Sequence, residues 1–310
     1  MNRGGIMLQL LKKLFREECG TTIVITAVAF SMLMGFTALA VDSGVLFVEH
    51  TRLARTADAA ALAGAQELPN IGQAEVTARD YAQRNGTDNP DLNIGFSPDN
   101  KELTVTASKN VNLYFARVFG KNSSLVNGRA VARIAPVKAV TGIVPIGINE
   151  IMLPLTVGQE YLLKAGAHDQ SQGWRGVLEY PGANGATDYR DCAYNGYNGK
   201  VNIDDIESKA TGNMSGPTAQ GLQERIDACT NGCTWDHYEP GCPRVVIVPI
   251  YRDLGTSQVR IVGFAGVSLE RVVGQGQESE VYARYINYTF SGETEDSLTN
   301  SYLNSVQLVQ

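Results

Sequence analysis

Four cysteines, Cys192, Cys229, Cys233 and Cys242, fall within 51 residues of this 310-residue chain, with 36, 3 and 8 residues between them. Cys19 stands apart, just before a long apolar run. Two chemistries suit such a cluster: disulfide bonding and metal ligation. Zinc ligands are commonly paired two residues apart, a spacing absent here, although His237 lies between Cys233 and Cys242. An even cluster in a chain with an apolar, membrane-type segment predicts disulfides formed in an oxidising compartment. Three pairings are open. Cys229 joined to Cys233 would be tight, so one of them is expected on Cys192 and the other on Cys242.

A second cluster is rich in oxygen ligands. Asp188, Asp191, Asn195, Asn198, Asn202, Asp204 and Asp205 crowd into 18 residues with Gly196 and Gly199. Such groups suit calcium. The EF-hand order fails, because with Gly196 at the sixth loop position the third is Ala193 and the twelfth is Asn202. The expectation is a surface turn cluster and no cofactor. Nucleophilic chemistry finds little support. The three histidines are His50, His168 and His237, and there is no G-x-S-x-G, H-E-x-x-H or P-loop pattern. Gly274-x-Gly276 runs into Gln277 and Glu278 without a third glycine. No catalytic residue and no enzymatic activity are expected.

The element that must position everything else is the stretch 20–68. No charge occurs between Glu18 and Asp42, leaving 23 uncharged residues, enough to cross a hydrocarbon core of about 30 Å. No proline appears before Pro69, so one helix is predicted through both the span and the alanine-rich stretch beyond it. Arg3, Lys12, Lys13 and Arg16 precede the span, in a tail of short amphipathic character. The positive-inside rule therefore places residues 1–19 in the cytoplasm and the rest outside, as a single-pass protein of the cell membrane. Ala27, Ser31 and Gly35 recur every fourth residue, a spacing that lets another membrane helix approach closely. Leu46, His50, Leu53, Ala57, Ala60 and Gly64 continue as a heptad seam for a partner or for the chain's own body. Asp42 is expected as a solvated residue at the outer boundary. Two processing patterns compete with a retained anchor: Ala38-Leu39-Ala40 as a signal-peptidase site, and prepilin-type cleavage after Gly20. Prepilins carry Glu at the fifth mature position, where this chain has Ile25.

The same stretch resembles the N-terminal signature of the TadG-like (TadE/TadG-like) family of Flp (Tad) pilus-assembly proteins. The signature is a Gly, an apolar span, an Asp-x-Gly step, a Leu and an alanine run. Here these are Gly20, Asp42, Gly44, Leu53 and the run Ala57, Asp58, Ala59, Ala60, Ala61, Leu62, Ala63, Gly64, Ala65. Ala78 to Ala82 with Asn85-Gly86, and Phe115 to Gly120, also fit. The resemblance implies a membrane-anchored component of a pilus or secretion apparatus, partnered by other membrane or pilus-assembly proteins. Longer relatives carry a von Willebrand A domain with a D-x-S-x-S metal motif. Asp42-Ser43-Gly44 does not complete one, so metal-dependent adhesion is not carried over.

Beyond Pro69 the pattern predicts a helix near Gly72–Arg84, strands at Leu103–Ser108 and Leu125–Val137, and a short helix in Leu113–Phe119. Residues 69–140 thus read as a small α+β, pilin-head-like region. From 141 to 310 the chain reads as β-rich, with strands at Gly142–Ile148, Glu160–Ala165, Gly176–Tyr180, Val245–Tyr251, Gln258–Leu269, Glu280–Phe290 and Ser305–Gln310, and a helix at Ala219–Cys229. Pro145, Pro154, Pro181, Pro217, Pro243 and Pro249 are expected in loops and edges. The fold class is α+β: a long transmembrane and protruding helix, then a mainly antiparallel extracytoplasmic region. Residues 66–310 hold 20 Lys+Arg against 27 Asp+Glu, an acidic balance that argues against nucleic acid and against docking of the body as a whole on anionic lipid. The expected function is assistance to Flp pilus assembly. An envelope-anchored binding module, recognising a wall polymer, glycan or protein through Trp174, Trp235, Tyr180, Tyr189, Tyr194, Tyr197 and Tyr238, is the alternative.

Overall fold

A computed structural model describes residues 19–85, 90–165, 176–182, 185–210, 215–255, 257–275, 278–290, 292–295, 298 and 302–309. The basic tail, Trp174 and His168 lie outside the described residues. The chain divides into two compact units that interleave along the sequence. One comprises Met1–Ala61, Thr77–Gly95 and Thr104–Val131; the other comprises Leu62–Val76, Phe96–Leu103 and Ala132–Gln310.

The first unit is built on α1 (Cys19–Ala65), a single 47-residue helix and, at 1.5 Å per residue, roughly 70 Å long. It has two environments. From Thr21 to Val41 every residue is exposed except half-buried Ala38. Further on, Leu53, Ala57, Ala60 and Ala61 are buried. The helix ends before 68, because the N–H groups of Glu67 and Leu68 turn back onto the carbonyls of Gly64 and Ala65. A second helix, α2 (Ile71–Asn85), starts where the Asn70 side chain accepts the N–H of Gln73. Its fully buried Ala74, Ala78 and Ala82 share one face. The Thr56 hydroxyl donates to the Asn85 carbonyl at the end of α2.

Three strands follow in sheet order: β1 (Asp91–Phe96), β2 (Glu102–Asn112) and β3 (Ser123–Val140). Burial alternates residue by residue along β3 from Val126 to Ile134, so one face is covered and the other is wet. Gly128 sits on the covered face. A Cβ there would fall 2.3 Å from the backbone N of Ala54 and 2.4 Å from the carbonyl carbon of Leu53. Strand and helix backbones therefore touch at this point. Only a residue without a side chain fits between them.

The second unit centres on β10 (Gln258–Val273), which pairs antiparallel with β9 (Val245–Asp253), β11 (Glu280–Tyr285) and β8 (Ile206–Lys209). β5 (Glu160–Lys164) adds to β11, and β6 (Leu178–Glu179) adds to β8. The short β4 (Ile148–Asn149) pairs parallel with β9. A bulge between Ile261 and Gly263 shifts the register of β10 against β9. Before it, Val259 and Ile261 face one core. After it, Phe264 faces that core, while Ala265, Val267 and Leu269 face the other. One extra residue thus reverses the side-chain parity, and β10 serves both cores. On the Ala265 side lie Tyr189 and Ala193 of α3 (Ala186–Asn195) and Leu222 and Ile226 of α4 (Ser215–Ala228). The distal end of β3 pairs with β7 (Val201–Asn202), β12 (Glu293–Thr294) and β13 (Asn304–Val309).

Three expectations need correction. The stretch from Asp188 is not simply a turn cluster, because Asp188, Asp191 and Asn195 ride on α3, where burial of Tyr189, Cys192 and Ala193 outweighs weak helix propensity. Among the described residues the carboxylates of 188–205 do not converge on a metal-sized point. Instead, the Asp205 carboxylate accepts the backbone and side-chain N–H of Asn202. Pro249 lies inside β9, opposite Phe264. Pairing of β9 with β4 begins only at Ile250, so the missing N–H costs no ladder bond there. Finally, Gly142–Ile148 is no continuous strand. It makes isolated bridges at Ile143 and Ile146 before β4 begins.

Candidate functional site

The Asp-x-Gly step is where the long helix holds the body of its unit. Asp42 is 5% exposed, not solvated as expected. Its carboxylate accepts the backbone N–H of Tyr114 at 2.8 Å, of Phe115 at 3.1 Å and of Ala116 at 2.7 Å. These donors lead into a one-turn 3-10 helix, Ala116–Phe119. The carboxylate caps that turn with two oxygens and three donors. Asp42 lies just beyond the uncharged span. Burial pushes its carboxyl up; the three N–H groups and the Arg117 charge pull it down, and the net shift is downward.

The turn so fixed is apolar and uncovered. Tyr114 is 66%, Val118 85% and Phe119 91% exposed. Phe115, Val118 and Phe119 line one side of a groove of about 710 Å³, and Phe30, Met34, Ala38 and Leu39 of α1 line the other.

The predicted packing residues separate into two sets. Ala27, Ser31 and Gly35 are exposed, and the Ser31 hydroxyl is taken up by its own helix at the Ala27 carbonyl. Leu53, Ala57, Ala60 and Gly64 are buried and Leu46 is half-buried, so the heptad seam packs on the chain's own body. Within the motif, Ala61, Ala63 and Ala65 are buried, whereas Asp58, Ala59 and Leu62 are half-buried. His50 is exposed and its Nδ1 lies 2.8 Å from the Asn127 carbonyl. Gly44 has open space around its Cβ position.

Three of the four cysteines come together where α4 ends. The sulfurs of Cys229, Cys233 and Cys242 lie within 4.8 Å of one another, with Cys229 and Cys242 3.7 Å apart. A zinc–sulfur bond of about 2.3 Å gives a tetrahedral sulfur edge of about 3.8 Å. The trio could therefore supply three thiolates to a soft or borderline cation, and any two of the three could also close a disulfide. His237 is not among the converging ligands. The backbone N–H of Cys233 draws the Cys229 thiol down against burial, helped by Cys242 and the Asn231 N–H. Burial, with its sulfur neighbours, pushes Cys242 up to about 11. Cys192 sits elsewhere, on α3 in the core with Ile143, Leu178 and Tyr180. Burial raises its thiol to about 11, with Arg225 opposing.

Among the described residues the aromatic side chains do not assemble one exposed face. Tyr180 and Tyr189 are buried, and Tyr180 stacks on Tyr197 with centroids 4.8 Å apart. Trp235 packs over Gly158.

Taken together, these features describe a first unit organised on one long apolar helix, bare over its near half, packed on its far half at Leu53, Ala57 and Gly128, and held at the boundary by the Asp42 carboxylate. Among the described residues, one helix, within Thr21–Ala65, is long and apolar enough to cross a membrane, and the chain covers none of its most apolar stretch. Residues 20–67 match the family model described as Flp pilus-assembly TadE/G-like. No curated protein and no solved structure matches the chain. The match carries a role related to Flp pilus assembly for the N-terminal helix. Asp42 and the alanine run lie inside it.

Proposed function

We propose that this chain is a single-pass membrane protein, N-terminus inside and body outside, that assists assembly of a Flp-type pilus or its secretion apparatus by protein–protein contact, without catalysis. The observation that carries the reading is the split character of α1. One face of its far half, through Leu53, Ala57 and Ala60, is covered by the chain itself. The near half, including Ala27, Ser31 and Gly35, stays bare, as a helix that meets lipid and neighbouring membrane helices must be. The four basic residues before the span, against only Arg52 and Arg55 soon after it, support the orientation. Cells lacking the chain should lose Flp pili or their secretion. Complementation with Gly35→Leu should restore the protein to the membrane but not piliation. Normal piliation in the deletion strain would sink the proposal.

An outer location also predicts the fate of the thiols. The trio should be oxidised to one disulfide by an external disulfide: the Cys229 thiolate attacks it and expels one thiolate, then a second thiol of the trio attacks the mixed disulfide and expels the other, so the oxidant leaves as two thiols while Cys192 stays reduced in its core. Non-reducing peptide mapping of protein taken from the membrane should show a crosslink among Cys229, Cys233 and Cys242 and a free Cys192. A crosslink to Cys192, or full alkylation of the trio without reductant, would contradict this outcome.

A further inference from the structure

The turn after β2 has features that residues 20–67 do not account for. Its tip exposes Tyr114, Phe115, Val118 and Phe119 side by side, more apolar surface than a water-facing turn keeps. Its backbone is nevertheless largely closed. The N–H of Leu113 goes to Asn122, those of Tyr114, Phe115 and Ala116 to Asp42, that of Val118 to Phe115, that of Gly120 to Arg117 and that of Lys121 to Ala116. A segment whose backbone donors are satisfied internally meets the condition for entering an apolar medium. The turn also lies along the uncharged part of α1. The groove wall runs from Asp42 through Leu39 and Ala38 to Met34 and Phe30. At 1.5 Å per residue, Ala38 is about 6 Å and Met34 about 12 Å below Asp42 along the axis. Ala38 thus falls within the depth of about 5–10 Å at which interfacial apolar faces settle among headgroups and acyl chains, while Met34 and, at about 18 Å, Phe30 reach deeper along the span. Arg117 and Lys121 are exposed on the same turn, where they could meet lipid phosphates.

We infer that Tyr114–Phe119 is a second membrane contact, an interfacial foot set into the outer leaflet beside the span, with lipid acyl chains filling the groove between foot and helix. The inference rests on the reading of α1 as a membrane span. Lipid is the occupant because the groove continues the bare surface of the span without a break, and because cationic side chains flank the apolar tip.

The test uses the full chain in liposomes of phosphatidylcholine and phosphatidylglycerol. Phe119→Trp adds an indole at an exposed position that no packing depends on, and Phe36→Trp marks the span. Each is read as the emission gained over wild type. Quenching is compared between lipids brominated near the carbonyl end of the chain, lipids brominated near the methyl end, and aqueous iodide. The Phe119→Trp signal should lose most of its emission to the carbonyl-end bromines, less to the methyl-end bromines, and little to iodide. If Phe36→Trp is quenched by lipid while Phe119→Trp is quenched only by iodide, the turn faces water and the foot is refuted with the span intact. If Phe119→Trp is shielded from both, a protein surface covers it, which also refutes the foot. If Phe36→Trp itself escapes lipid bromines, the span reading fails and takes the foot with it.

Discussion

Gly128→Ala is expected to be the most damaging single-methyl change in the first unit. The added carbon would lie 2.3 Å from the Ala54 nitrogen and 2.6 Å from its Cα. Both are backbone atoms of a continuous helix, so no side chain can swing aside. Relief requires β3 and α1 to separate, and the buried side chains on either side separate with them. Overpacking typically costs about 1–3 kcal/mol, and backbone against backbone belongs at or above the upper end, so a loss of about 3 kcal/mol is expected. Denaturant unfolding of the purified protein in detergent would measure it. Gly44→Ala is the paired control. It adds the same methyl to the same helix with nothing within 4 Å, and should be neutral or stabilising by up to about 1 kcal/mol. Equal stability of Gly128→Ala and wild type would mean that helix and strand do not meet here.

Asp42→Ala should release the 3-10 turn without unfolding the unit. Three backbone donors lose their acceptor at once, in a place where water reaches only one side. Amide exchange at Tyr114, Phe115 and Ala116 should accelerate roughly ten- to hundredfold, while Leu103 and Val105 in the covered part of β2 keep their protection. Asp42→Asn should fall between, because an amide offers one good acceptor oxygen and no charge. The pH sign follows from the direction of the shift. A carboxyl held below its ordinary value contributes latch stability that is fully present above the ordinary carboxylate range and is lost as pH falls through the depressed value. Protection at the three amides should therefore be flat through neutrality and collapse only in acid. Loosening near neutral pH would assign the latch to some other group.

The long helix was legible because its signals are local: an unbroken apolar run, no proline, and a 4-3-4 seam of small residues. The main strands were legible too, within a few residues, from alternation. The role of Asp42 was hidden for a definite reason. Its partners are backbone N–H groups 72 to 74 positions away, and a backbone donor leaves no mark in residue identity. The pattern could flag an acid at the end of the span, but not what it would hold. Gly128 was hidden likewise, since its φ is ordinary and only the helix laid against it demands glycine. Helix α3 was obscured by Asp, Asn and Gly, whose local preference is for turns. The two cores opened by the bulge in β10 could not be read from β10 alone, because an uninterrupted buried run is silent about which face each residue serves. Convergence of Cys229, Cys233 and Cys242 was half-visible: the first two share the end of α4, but the third arrives through a loop that turns at Gly241, with φ +82°.

The carboxylate clip has one more consequence. A bare rod through a bilayer spins freely about its own axis and leans in any direction. A rod with such a foot keyed to it at Asp42 would lose the freedom to lean, because tilting toward the foot would push Phe119 deeper and tilting away would lift it out. On the reading of α1 as a span, the side of the helix that carries the turn would then be a fixed landmark, and neighbouring membrane helices would meet the opposite, bare side.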